Sequence, residues 1–297
     1  MKLAKFKNDL GNFSFAFPAI LIFSIFYIYP FIKVFQLSVC NWNGIDAFSF
    51  SKFYTGFVNF REVLMDKIWW QAMWHAAYIT LIALVLQNAL ALILALACDR
   101  DLKARNFYRV IFFIPPVLSE VVVGLIWQWI YDGNYGLLNY SLHSMGLAQW
   151  VNNWLSNPKT ALTCIAIVHC WKGFGWGFII LLAGLQTIPR QLYEAAKVDG
   201  ASSWQTFWRV TVPLMMPVFV LVSILTILGT MQVFVLIYTM TGGGPGYHTE
   251  VPVTRILASM VSSSRFGYAC AQGILFGLVL LIVSFTQKKI SERVKQA

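Results

Sequence analysis

Charge is scarce in this chain. Of 297 residues only 11% are Asp, Glu, Lys or Arg, 12 of them acidic, while 58% are hydrophobic and the mean hydropathy is +0.66. So little charge cannot cover a soluble domain of this length, which excludes an ordinary globular enzyme or binding module. The net charge of +10 does not restore a nucleic-acid partner, because the basic residues stand in short clusters between long apolar runs. No Gly-Lys-Ser or Gly-Lys-Thr occurs, and Gly242, Gly243 and Gly244 run into Pro245 without a lysine, so a P-loop is missing. Those glycines read as a turn that permits positive φ, with contact to a soluble partner as the alternative. The histidines (His75, His143, His169, His248) and cysteines (Cys40, Cys98, Cys164, Cys170, Cys270) lack metal-ligand spacing. The thiols read as small membrane-buried hydrophobes. With no nucleophile elbow and no carboxylate pair, the chain is expected to have no catalytic residue, no metal and no cofactor of its own.

What is abundant is apolar sequence in runs long enough to cross a bilayer, which takes about 20 helical residues. Six such runs are present, near Phe13–Phe35, His75–Cys98, Val110–Tyr131, Ala161–Leu185, Val212–Tyr238 and Tyr268–Phe285. Inside hydrocarbon each backbone polar group has to be paired within its own segment, so all six are expected as helices of one transmembrane domain over 1–297. Lys and Arg in the tails and connections number 14 on one side and six on the other. That asymmetry puts both termini in the cytoplasm, with lipid around the spans. Trp69, Trp70, Trp74, Trp150 and Trp154 then fall on the outer side, as an interfacial aromatic belt or as partner contacts.

The connection over 186–212, between the fourth and fifth runs, is the most informative stretch. Pro189 suits a first helical turn, Gly200 a left-handed helix end, and Ser202 with Gln205 a capping box that opens a second helix. Trp204, Phe207 and Trp208 share one face of that helix, and Pro213 is expected to stop it. The first helix sets Ala195 and Ala196 on one face and Glu194, Lys197 and Asp199 on another. Two readings stand open: insertion into a groove on a partner, or a helix lying on the membrane surface.

Glu194-Ala195-Ala196, then three residues, Gly200, nine residues and Val210-Thr211-Val212-Pro213 resemble the coupling motif of binding-protein-dependent ABC importer permeases. The spacing agrees throughout, with Val210 for the usual Ile and Val212 for the usual Leu. The stretches GFVNFREVLMD, YGLLNYSLHSMGL, HCWKGFGWGFIILLAGLQTIPRQLYEAA and YTMTGGGPGYHTE extend the likeness along nearly the whole chain, toward the carbohydrate branch with its maltose, glycerol-phosphate and lactose-type permeases. The resemblance implies an all-α integral membrane protein of the type I ABC importer permease fold, in a bacterial or archaeal cytoplasmic membrane. It implies a second, homologous permease completing a heterodimer, two copies of a cytosolic ATPase subunit that bind the ATP and Mg2+, and a periplasmic or lipid-anchored solute-binding protein. Glu194, Ala195, Ala196, Asp199 and Gly200 would then form the ATPase-coupling element.

For the solute path, ionisable groups within spans are the first candidates, since they usually face a cavity or one another. Glu120 lies about ten residues inside the third run and Lys172 about eleven inside the fourth. They are expected to pair or to line one wet cavity, as structural bracing or as solute contacts. Trp171, Gln232, Phe234 and Tyr238 join them, because rings beside amide and hydroxyl groups suit a sugar. Ala83, Ala91, Ala95, Gly273 and Gly277 are expected to allow close helix packing. A stand-alone secondary transporter or channel is the rival reading, and Glu120 is the single span carboxylate that supports it.

Overall fold

Long apolar runs fold as helices here because a lipid environment leaves the backbone no other partner. The computed structural model describes residues 16–99 and 105–296. Phe13, the expected start of the first span, and the basic residues Lys2, Lys5, Lys7, Arg100 and Lys103 lie outside that range. Among the described residues there is no strand, and Cys40 and Tyr54 form an isolated antiparallel bridge. In chain order the helices that matter are α1 (Ala16–Ser38), α2 (Val58–Met65), α3 (Lys67–Asp99), α4 (Arg105–Val117), α5 (Glu120–Ile130), α6 (Leu137–Ser144), α7 (Ala161–Gln186), α8 (Arg190–Val198), α9 (Ser203–Met231), α10 (Val235–Thr241), α11 (Pro252–Val261) and α12 (Phe266–Gln296).

Five of these cross a bilayer by length and composition: α1, α3, α7, α9 and the Phe266–Lys289 part of α12. The sixth span departs from the straight helix expected over Val110–Tyr131, because α4 and α5 meet at 92°. Pro115 and Pro116 end α4. Neither has an N–H to continue the ladder, and the chain leaves the helix at Leu118 and Ser119 before restarting at Glu120. The fifth span also differs. It ends at Met231 rather than Tyr238, with a break over 232–234 before α10. At its other end Pro213 does not stop the helix. A π-helical turn at Phe207–Thr211 precedes it, Pro213 falls in the next first turn, and α9 runs unbroken from Ser203.

The chain divides into two compact units, one taking in the sequence up to Asp66 with Ile256–Leu278, the other Lys67–Arg255 with the sequence from Val279 on. In the first, the Asn59 amide donates to the carbonyls of Ser38 and Cys40, both at 2.9 Å, which fixes the turn after α1. Arg265 holds Glu62 through both guanidinium nitrogens, one at 2.7 Å, and the Tyr268 hydroxyl donates to Asp66 at 2.7 Å. Gly273 and Gly277 meet open space there, against the expectation that they seat a packed helix.

In the second unit α3 packs along α7. Lipid tails are as apolar as Leu, so this contact is held by close approach of small residues rather than by a hydrophobic drive. Ala91 and Ala95 are fully buried, and a Cβ added at Gly177 would stand 3.2 Å from the Ala91 methyl. Phe174, Phe178, Leu181, Leu185 and Met215 complete this core, while Ile79, Val123, Ile165, Leu236 and Ile237 form another. After α5, Asp132 accepts from the amides of Tyr135 (2.8 Å) and Asn134 (2.9 Å), which holds its carboxyl below the usual range.

Two glycines separate packing from helix propensity. A Cβ at Gly175 would fall 2.5 Å from the Pro116 ring and 2.6 Å from the Phe112 carbonyl, so Gly175→Ala is expected to destabilise the chain by about 1–3 kcal/mol. Gly273→Ala, in open space, is expected to be neutral or stabilising by up to about 1 kcal/mol. Thermal melting of the purified chain in detergent checks both, and equal effects would contradict this packing.

Candidate functional site: a cavity between helices and an exposed helical hairpin

The break in the third span creates the first element of the site. Glu120 becomes the first residue of α5, at the positive end of its dipole, while the last carbonyls of α4 lose their helical partners. Lys172, midway along α7, answers both. Its ammonium lies 3.8 Å from Glu120 Oε1 and donates across a long 3.5 Å to the Pro116 carbonyl. Anion at the helix start and cation at the helix end match the dipoles in sign.

A second element comes from α3, where a π-helical turn at Ala83–Gln87 adds a residue and re-aims the side chains beyond it. Gln87 is 8% exposed and turns its carboxamide against Gly173 of α7. An added Cβ at Gly173 would come within 2.5 Å of Gln87 Oε1, so only glycine leaves the amide its place. Among the described residues Gln87 Oε1, itself sealed from solvent, has no hydrogen-bond partner. The third wall is α9. Thr226 donates to Asn88 Oδ1 at 3.0 Å, and the Thr230 hydroxyl sits 3.1 Å from His169 Nε2.

These walls border an open-sided cavity of about 390 Å³, lined by Gln87, Glu120, His169, Lys172, Thr226 and Thr230 and by the apolar Trp176, Ile180, Val222 and Leu225 among others. Of the expected solute-path residues, the structure brings Glu120 and Lys172 together on its wall. Trp171 lies elsewhere, packed edge-on against Trp127 with ring centroids 5.6 Å apart. Gln232 donates to its own helix at Leu228 (3.1 Å), and Phe234 stacks on Tyr238 at 5.4 Å, and none of the three borders the cavity. Gln87, His169, Thr226 and Thr230 were not among the expected residues. Gln87 and Asn88, side by side in an apolar run, were the available signal.

The other functional element is the hairpin of α8 and the start of α9. Pro189 caps α8, Gly200 closes it at φ +74°, and the Ser202–Gln205 capping box opens α9. No α8 residue is buried: Glu194, Ala195 and Asp199 are exposed, as are Trp204 and Trp208 beyond. The hairpin is nevertheless tied down, because Ile188 is buried in the α3–α7 core and the Tyr193 hydroxyl reaches Thr211 Oγ1 at 3.2 Å.

Residues 87–296 match the family described as "Binding-protein-dependent transport system inner membrane component". The chain belongs to that family. This inner membrane component is 33% identical over 292 residues to the Bacillus subtilis (strain 168) protein named "Probable ABC transporter permease protein YurN", covering 98% of this chain and 99% of that one. It is 31% identical over 282 residues to the trehalose/maltose transport system permease protein MalF of Thermococcus litoralis, covering 95% and 93%. Its fold is that of a chain in the crystal structure of a bacterial alginate ABC transporter in complex with an alginate pentasaccharide-bound periplasmic protein, with a TM-score of 0.83, 22% identity, and 98% and 97% of the two chains covered. It is therefore a multi-pass membrane component of a transporter.

If the Glu120–Lys172 contact is energetically real, Lys172→Met and Glu120→Gln will not add. The double variant is expected to lose less stability than the sum of the single losses, by about 0.5–1.5 kcal/mol. Additive losses in thermal melts of the three variants would show the two groups to be independent.

Proposed function

We propose that this chain is one of two non-identical permease subunits of an ATP-driven importer for a sugar or oligosaccharide, and that it moves the solute through the Glu120–Lys172 cavity. The carbohydrate class rests on relatives such as the trehalose/maltose permease and on a cavity whose polar groups suit hydroxyls. In this reading both termini and the α8–α9 hairpin are cytoplasmic. Two ATPase subunits, which supply the ATP and Mg2+ chemistry, dock against Glu194, Ala195, Ala196, Asp199 and Gly200. A solute-binding protein delivers cargo on the opposite side.

One observation carries this proposal: the hairpin and the cavity share their helices. α9 begins inside the hairpin at Ser203 and reaches the cavity at Thr226 and Thr230, about 35–40 Å further along. Likewise α7, with His169 and Lys172, ends at Gln186 just before the hairpin. A displacement of the hairpin by a closing ATPase pair is thus carried to two cavity walls at once. The result is alternating access, in which nucleotide and solute each bias two packed arrangements by differential affinity.

Two measurements test this. Uptake of a labelled sugar by proteoliposomes holding both permeases, the ATPase and the binding protein is expected to require ATP, and uptake by this chain alone would favour a stand-alone carrier. Ala195→Cys is expected to react with a membrane-impermeant maleimide from the cytoplasmic side and to cross-link to the ATPase subunit. Four of the five native cysteines are buried, which keeps the background low. Labelling from the outside, or no cross-link in an active complex, would contradict the assignment.

A further inference from the structure

The two limbs of the hairpin differ in chemistry. α8 exposes charges of both signs, at Arg190, Glu194, Lys197 and Asp199. The start of α9 exposes rings instead. Trp204 is 70% exposed and Trp208 51%, and the partly buried Phe207 joins them in one cluster, with ring centroids 5.6 Å apart for Trp204–Trp208 and 5.3 Å for Phe207–Trp208. Among the described residues neither indole N–H has a hydrogen-bond partner. A contiguous aromatic patch of this kind marks a contact surface, unlike apolar side chains exposed singly.

The length of α9 identifies what covers it. The part from Val212 to Met231 holds 20 residues and no Asp, Glu, Lys or Arg. That is about 30 Å of helix, the whole thickness of the hydrocarbon. Trp208 and Phe207 then stand about 6–8 Å outside that layer, among the headgroups, and Trp204 about 12 Å, at their outer edge. An indole suits this zone because its ring is apolar while its N–H still needs an acceptor, which phosphate and ester oxygens supply. Charge agrees. From Ala201 to Met231 the one charged residue is Arg209, exposed and next in the chain to Trp208. The mixed charges of α8 suit a groove on a protein, whereas a lone cation beside aromatic rings suits an anionic lipid surface.

Resting on the importer reading above for the side of the membrane, we infer that Trp204, Phe207 and Trp208 form an anchor among the lipid headgroups of the cytoplasmic leaflet. The hairpin thereby holds two partners at once, the ATPase through α8 and anionic lipid through the start of α9. The anchor fixes the depth of α9, so a push on α8 tilts the helix about the headgroup plane instead of sliding it along its own axis.

The test attaches a nitroxide at Trp208→Cys or Trp204→Cys in the complete complex, held in nanodiscs of phosphatidylcholine and phosphatidylglycerol, with the other subunits free of accessible cysteine. Oxygen collects in lipid, a water-soluble nickel chelate stays in water, and protein cover shields a label from both. At 208 the label is expected to collide more with oxygen than with nickel, and its oxygen-to-nickel ratio is expected to exceed that at 204 about threefold or more. Low collision with both reagents at 208 would show that a protein subunit covers the rings, and nickel-dominated collision at both positions would put them in water; either result overturns the inference. A label-free measurement stands beside it. The Trp204→Ser/Trp208→Ser permease pair is expected to bind the ATPase within about twofold of wild type, and binding about tenfold weaker would overturn the inference by making the ATPase the partner of the rings. Should the double variant fail to assemble, Trp208→Ser alone is held to the same two outcomes. If the rings fail to meet lipid while Ala195→Cys is labelled from the cytoplasm, only the inference falls. If Ala195→Cys is labelled from outside, the importer reading falls and the assignment to the cytoplasmic leaflet falls with it.

Discussion

The proposed coupling depends on α9 continuing as one helix from hairpin to cavity, through Pro217 as well as Pro213. Its 29 residues span roughly 43 Å at about 1.5 Å each. Within hydrocarbon a released backbone N–H or C=O costs several kcal/mol, so the helix bends or rotates as a body before it breaks. The π-helical turn at Phe207–Thr211 preserves this continuity at the place where Pro213 threatens it. The Tyr193–Thr211 hydrogen bond then links α8 directly to the same helix.

The same demand that polar groups be satisfied explains where the cavity lies. Hydrocarbon tolerates irregular backbone only where it is buried in protein or lines a cavity, and the 92° break between α4 and α5 borders one. The break supplies the helix start that holds Glu120 and the loosened carbonyl of Pro116 that receives Lys172. Gln87 arrives by a second irregularity, the π-helical turn of α3, into space that Gly173 leaves empty. Two departures from ideal helix thus put an ion pair and the Gln87 side chain on one cavity's border, and the regular parts of α3 and α7 hold them there through Ala91, Ala95 and Gly177.

Hydropathy made the spans legible, because length and apolarity are set by the bilayer itself. Local chemistry was equally readable at the hairpin, where Gly200 takes its left-handed φ and Ser202 and Gln205 close their box. The break after Pro115 and Pro116 was visible as a proline pair but was masked by the apolar residues on either side, which continue the span's composition across it. For Glu120 and Lys172, charge inside hydrocarbon was itself the signal, and the structure adds the distance. Gln87 was a quieter case. A neutral amide in a run of Leu and Ala does not announce whether it faces a neighbour or a void, and only the helix arrangement around Gly173 decides it. Gln232 and Tyr238 fell the other way: they lie at and beyond the backbone break at 232–234 and do not border the cavity.

The central claim is that motion of the hairpin reaches the cavity through α9, and its most direct measure is solute transported per ATP hydrolysed by the complete importer carrying Val220→Pro. That substitution removes a further rung beyond the one Pro217 already lacks, between the hairpin and Thr226, while leaving both ends chemically intact. ATP hydrolysis is expected to continue while uptake per ATP falls about tenfold or more. Uptake per ATP equal to wild type in an assembled complex would show that the signal does not travel along α9.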